Sequence, residues 1–124
     1  MRRALFSTLV AAFALSACGA PKAGDTCDQT GFLCADTTSA IECRGGKWLT
    51  LPCRGANGCS RQANLIKCDM SANTAGDGCA STAEGKGICT TDGKGTLECR
   101  EGTLVKTNTC SSCVVSNDQV ICQP

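Results

Sequence analysis

The stretch SAIECRGGKWLTLP, Ser39 to Pro52, decides how the chain is read. Two six-residue runs rich in β-formers flank Gly45-Gly46, a two-residue turn signal of the hairpin kind. The pattern predicts antiparallel strands over 39–44 and 47–52. Further along, GTLECREGTLVKT, Gly95 to Thr107, repeats the arrangement around Glu101-Gly102. It predicts a second hairpin with strands over 95–100 and 103–107. Further strands are expected over 64–69 (NLIKCD) and 118–123 (DQVICQ). No window carries a capped helical period over ten residues or more.

Outward from these hairpins the whole chain proves duplicated. Gly24-Asp25-Thr26-Cys27 matches Gly76-Asp77-Gly78-Cys79. Ile41-Glu42-Cys43-Arg44 matches Leu97-Glu98-Cys99-Arg100, and Leu65-Ile66-Lys67-Cys68 matches Gln119-Val120-Ile121-Cys122. Each copy holds six cysteines: Cys27, Cys34, Cys43, Cys53, Cys59 and Cys68, then Cys79, Cys89, Cys99, Cys110, Cys113 and Cys122. The intervals are six, eight, nine, five and eight residues in the first copy and nine, nine, ten, two and eight in the second. We read residues 24–70 and 76–124 as tandem cysteine-rich modules, with the small, polar segment 71–75 as linker. A module of about 45 residues buries too little apolar surface to fold unaided, so disulfides are expected to decide whether it folds. The expected fold class is small, disulfide-rich and all-β, built of antiparallel hairpins with long loops.

Six cysteines allow fifteen pairings. The constant fifth-to-sixth interval fits a closed local hairpin and favours Cys59–Cys68 and Cys113–Cys122. Cys43 precedes the turn and Cys53 follows the far end of the next strand, so these two are not expected to pair with each other. Each is then left to seek Cys27 or Cys34, and that choice stays open.

The thirteenth cysteine, Cys18, belongs to neither set. Met1-Arg2-Arg3 is a positive n-region, and Ala4 to Leu15 is an apolar run of twelve residues, too short to span a bilayer. Leu15-Ser16-Ala17-Cys18 follows. It resembles the bacterial lipobox, in which the cysteine sulfur receives a diacylglyceryl group and the chain is cut before it. An ordinary signal cut after Ala17 is the competing reading, and the parity of the cysteines favours lipidation. Residues 1–17 are then a signal peptide, Cys18 is the lipidated (palmitate-bearing) residue, and 18–23 form a tether. Gly19 is not the aspartate that commonly retains lipoproteins in the inner membrane. By that rule the outer membrane is expected, at the cell surface or the periplasmic face.

Composition narrows the function. Thirteen cysteines in 124 residues suit an oxidising compartment. Twelve basic and eleven acidic side chains give a net charge of +1, which offers no case for nucleic acid. Without histidine there is no Ser-His or Cys-His nucleophile pair, and any zinc site would be all-thiolate. Exported cysteines favour disulfides, so neither metal nor cofactor is expected. Cys110-Ser-Ser-Cys113 has redox-dithiol spacing but lacks a helix to lower a thiol pKa, so structural use is favoured. Trp48 is the only tryptophan, and its counterpart is Leu104. An apolar-for-apolar exchange favours a packed position over a ligand platform. Trp48 and Arg54 are the candidate contact residues.

The lipobox followed by GD-x-C, [IL]-x-C-R-x-G and [VI]-x-C resembles the short cysteine-rich repeat lipoproteins of myxobacteria and related gliding or predatory bacteria. The resemblance covers the mature chain. It implies a non-catalytic envelope role, with contact-dependent gliding motility and cell–cell contact among the roles served in that group. Membrane attachment through the lipid and an envelope protein or polysaccharide partner are the expected interactions. Two alternatives come from other classes. One is an inhibitor that presents Arg54 to Gly58 (RGANG) to an extracellular protease. The other is a redox protein using Cys110 and Cys113.

Overall fold

The computed structural model describes residues 19–124. The segment read as a signal peptide and Cys18, the expected lipidation residue, lie outside the described residues. Ten strands run in order: β1 (Gly31–Cys34), β2 (Ser39–Arg44), β3 (Lys47–Pro52), β4 (Cys59–Gln62), β5 (Leu65–Cys68), β6 (Gly87–Cys89), β7 (Gly95–Arg100), β8 (Thr103–Thr109), β9 (Ser112–Ser116) and β10 (Gln119–Gln123). A single turn of 3-10 helix covers Ser81–Ala83. The molecule is all-β, small and disulfide-rich. The four strands of the two central hairpins begin where the sequence places them, and β8 runs two residues longer than expected.

Each copy is a three-stranded antiparallel meander, β1-β2-β3 or β6-β7-β8, with a two-stranded hairpin, β4-β5 or β9-β10, packed against it. Gly45 and Gly46 both have positive φ, at 60° and 78°, which matches the mirror-image turn that suits twisted strands. Glu101 (50°) and Gly102 (78°) adopt the same turn in the second copy. The extra residue between the third and fourth cysteines of that copy is absorbed by a β-bulge. Thr96 faces Asn108 and Leu97 faces Lys106, so Thr107 is the residue left over. Its hydroxyl is 2.8 Å from that of Thr96.

The duplication holds at the level of single hydrogen bonds. Gly24 N–H donates to Trp48 C=O and Gly76 N–H to Leu104 C=O, both at 2.8 Å. Trp48 N–H returns to Asp25 C=O and Leu104 N–H to Asp77 C=O, both at 2.9 Å. The GD-x-C segment is thus a corner laid along the outer strand of each central hairpin.

Six disulfides close the structure, all within copies: Cys27–Cys43, Cys34–Cys59 and Cys53–Cys68, then Cys79–Cys99, Cys89–Cys113 and Cys110–Cys122. Both copies therefore join first to third, second to fifth and fourth to sixth. Cys43 and Cys53 do not pair with each other, as expected. The expected Cys59–Cys68 and Cys113–Cys122 bonds are overturned. Each of those pairs does stand directly opposite across a hairpin. Their constant interval records three residues, a two-residue turn and three residues. It does not record a bond. Both sulfurs of each pair bond away from the hairpin, to the meander or to the segment after its last strand. A bond across either hairpin would close only nine residues and staple strands already paired, whereas the observed bonds close 12 to 25 residues and tie each hairpin to its meander. Cys53 likewise bonds to Cys68, not to Cys27 or Cys34.

Half of each core is cystine. The buried cluster of the first copy is Ala40, Leu51, Cys53 and Cys59, and that of the second is Cys79, Leu97, Cys99 and Leu104. The strands not expected from the sequence, β1, β4, β6 and β9, are short and each carries a half-cystine.

Two outcomes follow. Non-reducing proteolysis with mass spectrometry should recover the repeated one–three, two–five and four–six connectivity, with no peptide joining residues 27–68 to residues 79–122. Glu101→Gly should stabilise the protein by about 1 kcal/mol, read as a rise in denaturation midpoint, because an L-residue at positive φ is strained by about that much.

Candidate functional site

The two copies meet along a seam that the sequence reading assigned to a linker. Asn73 in that segment is only 1% exposed. Its amide donates to Pro52 C=O at 2.7 Å and its side-chain oxygen accepts from Arg54 N–H at 3.0 Å. Segment 71–75 is a fitted part of the fold.

Arg54 does not project as a free basic tip. Its guanidinium grips Asp77 with two bonds, Nε to Oδ2 at 2.8 Å and the terminal nitrogen to Oδ1 at 2.9 Å. Asp77 Oδ2 also accepts from Thr74 N–H at 2.9 Å. Donation by Arg54 is the largest influence holding the Asp77 carboxyl below its usual pKa, and the Thr74 N–H and the positive charge add to it against partial burial. The remainder of the RGANG loop is held from behind by Asp69. That carboxylate accepts from Asn57 N–H at 3.0 Å and from the Ser71 hydroxyl at 2.7 Å. Arg54 is thus held at the seam, with 53% of its side chain still exposed.

A second polar contact crosses the seam. Glu42, 3% exposed, accepts from the Arg44 guanidinium and from the hydroxyl and N–H of Ser81. Arg44 also donates to Cys79 C=O at 2.9 Å. Gly78 completes the fit, because a Cβ there would lie 2.9 Å from Thr50 C=O. Its counterpart, Thr26, has a side chain.

The other sequence candidates are placed as follows. Trp48 is half-buried, not core, although Leu104 in the matching position is 2% exposed. The expectation of a packed tryptophan is therefore corrected. The larger indole keeps part of its surface exposed beside the loop between Cys27 and β1. Trp48 borders an open depression of about 310 Å³ with Asp28, Gln29, Thr30 and Phe32 along its sides. An aromatic face beside a carboxylate, an amide and a hydroxyl suits a polar ligand with an apolar face. Sequence reasoning named Trp48 but missed the polar rim, which belongs to the loop between Cys27 and β1.

Cys110 and Cys113 bond to Cys122 and Cys89, not to each other. The C-x-x-C spacing carries no dithiol pair. Among the described residues no group of three or more His, Cys, Asp or Glu side chains is gathered to hold a metal ion. No helix among them is long and apolar enough to cross a membrane. Compared with family models, curated proteins and solved structures, the chain matches none.

The seam yields a mutational and a pH outcome. Gly78→Thr, which installs the residue of the first copy, should lower the thermal midpoint by at least about 4 °C and leave all six disulfides formed. The folded pKa of Asp77 lies below its unfolded value. Its stabilising effect is therefore complete above the unfolded pKa, near 4, and is lost as pH falls through the folded value. Asp77→Asn should lower the midpoint at pH 7, and the gap to the parent protein should narrow as acid protonates Asp77 in the folded protein. A gap that does not narrow anywhere in the acid range would contradict the ion pair.

Proposed function

We propose that the protein is an outer-membrane-anchored, non-catalytic lipoprotein of the bacterial envelope, which presents the Trp48 face to an envelope protein or polysaccharide. Contact-dependent surface behaviour, gliding included, is the setting in which it acts. The observation that carries the proposal is the lipobox Leu15-Ser16-Ala17-Cys18, joined to the fact that the other twelve cysteines pair among themselves. Cys18 is required by none of those bonds and is left for lipid. Two or three acyl chains, each contributing about 0.8 kcal/mol per buried methylene, hold a protein stably at a bilayer. A chain without histidine, whose only tryptophan borders an open depression, supports binding over catalysis.

Cys18→Ala tests the anchor. It should abolish palmitate labelling and partitioning into detergent, with the six disulfides still formed; a variant that still labels and sediments with membrane sinks the proposal. Trp48→Ala tests the face. For a half-buried ring, stability should fall by about 1–2 kcal/mol, less than the 3–5 of a core tryptophan, while retention on envelope extract should drop about tenfold or more. Unchanged retention would remove Trp48 from the contact.

A further inference from the structure

The seam encloses a feature that neither the anchor nor the Trp48 face uses. Between the copies lies a half-open cleft of about 220 Å³. Its first-copy lining includes Phe32, Leu51, Ile66 and Met70, the last residue of that copy, and Ala83 and Lys86 come from the second copy. Leu51 is 3% exposed and belongs to the first core, while Ala83 and Met70 pack on the second. The lining is mostly apolar, and Lys86 is its only charged side chain. Among the described residues Lys86 forms no ion pair. Its backbone is fixed, with N–H donating to Ala83 C=O at 2.8 Å and C=O accepting from Cys99 N–H at 2.9 Å. Lys86, exposed and with its backbone held, lines a cleft that contributes no carboxylate, so its flexible side chain can bring a cation to the opening.

We infer that this cleft binds an aliphatic carboxylate of medium chain length, with the alkyl chain between Phe32, Ile66, Met70 and Ala83 and the carboxylate on the Lys86 ammonium. Three physical points carry the assignment. Small-ligand sites form preferentially where two units meet, and such sites pair apolar walls with few polar groups. A cavity of about 150 Å³ holds a benzene ring, so one of about 220 Å³ takes a chain of about eight carbons. The unpaired cation selects an acid over an alcohol or an amine of the same length. The walls are preformed, since the Cys53–Cys68 disulfide and the Arg54–Asp77 and Glu42–Ser81 contacts hold both sides. This site shares Phe32 with the Trp48 depression but uses neither Trp48 nor the lipid proposed for Cys18.

The test uses oxidised residues 19–124, which contain all six disulfides and all ten strands, titrated with octanoate, octanol and octylamine in detergent-free buffer. Octanoate should bind with a Kd of about 1 mM or tighter and perturb the methyl resonances of Ile66, Met70 and Ala83. Octanol should bind more weakly, and octylamine most weakly. Lys86→Gln should weaken octanoate about threefold and leave octanol unchanged, as fits an exposed ion pair. Ala83→Leu, with its disulfides verified by mass spectrometry, should abolish binding of both by filling the cleft. Absence of octanoate binding up to 10 times the expected Kd overturns the assignment, as does octylamine binding as tightly as octanoate. Octanoate binding that survives Ala83→Leu places the ligand elsewhere and overturns it equally.

Discussion

Three sulfur–sulfur bonds in each copy stand where a larger domain would have a hydrophobic core. The buried clusters contain four residues apiece, and two of each four are half-cystines. The same atoms serve as packing and as covalent restraint. The first-to-third bond pins the GD-x-C corner to the middle strand of the meander. The second-to-fifth bond ties the hairpin to the meander's first strand, and the fourth-to-sixth bond ties the end of its third strand to the hairpin's last. Each closure removes about 3 kcal/mol of unfolded-state chain entropy in the chain-entropy account, a large share of what so small a module can muster. Edges, loops and seam all hang on that frame.

The copies share a frame and differ in what is hung on it. Two length differences lie where the copies meet. The first copy has five residues between its fourth and fifth cysteines, and they include Arg54. The second copy has nine residues between its first and second cysteines, and they include Ala80, Ser81 and Ala83. The reciprocal segments are short: Ser111-Ser112 in the second copy and Asp28–Leu33 in the first. The seam is therefore one-sided. Glu98 and Arg100 repeat the Glu42–Arg44 pair at 3.2 Å, but both are considerably more exposed, with no counterpart of Ser81 upon them. A third unit, or a second molecule, could not reuse the contact head to tail. Thr26 stands where Gly78 is required, and Ser111 stands where Arg54 is required. The divergence that makes the copies fit each other also stops the fit from propagating.

This one-sidedness bears on function. Two modules on a flexible connection would offer two independent surfaces. Two modules locked through Asn73, Arg54–Asp77 and Glu42–Ser81 offer one rigid body, in which the Trp48 depression and the seam cleft keep a constant relation. Rigid presentation reduces the ordering cost of binding and suits a small protein with few apolar side chains to commit. The carboxylates that brace its loops, Asp36, Asp69 and Asp92, accept hydrogen bonds from neighbouring hydroxyl and N–H groups, and each has its pKa lowered by them. Their support is complete above the ordinary carboxylate pKa and is lost as pH falls through the lowered folded values, so the loops stay braced at neutral pH.

The primary structure alone determined the duplication, the four strands of the two central hairpins and the disulfide-rich all-β class. These follow from local chemistry: β-rich runs beside Gly45-Gly46 and Glu101-Gly102, and a cysteine density of the disulfide-scaffold kind. It also showed that the two copies differ in their loops, though not what the differences were for. Only the tertiary structure decided the connectivity. A constant interval between Cys59 and Cys68 reports strand register, while the partner of each sulfur depends on which segments pack across tens of residues. The short strands β1, β4, β6 and β9 were illegible for the same reason, since pairing and cystine bonds hold them and intrinsic propensity does not. Trp48 read as packed because its counterpart Leu104 is apolar, yet the two matching positions differ in burial, which neighbours distant in sequence decide. Arg54 and Asn73 looked like loop and linker. Whether a polar side chain in a loop reaches solvent or a partner depends on what the fold brings opposite it, and here the fold brings Asp77 and the carbonyl of Pro52.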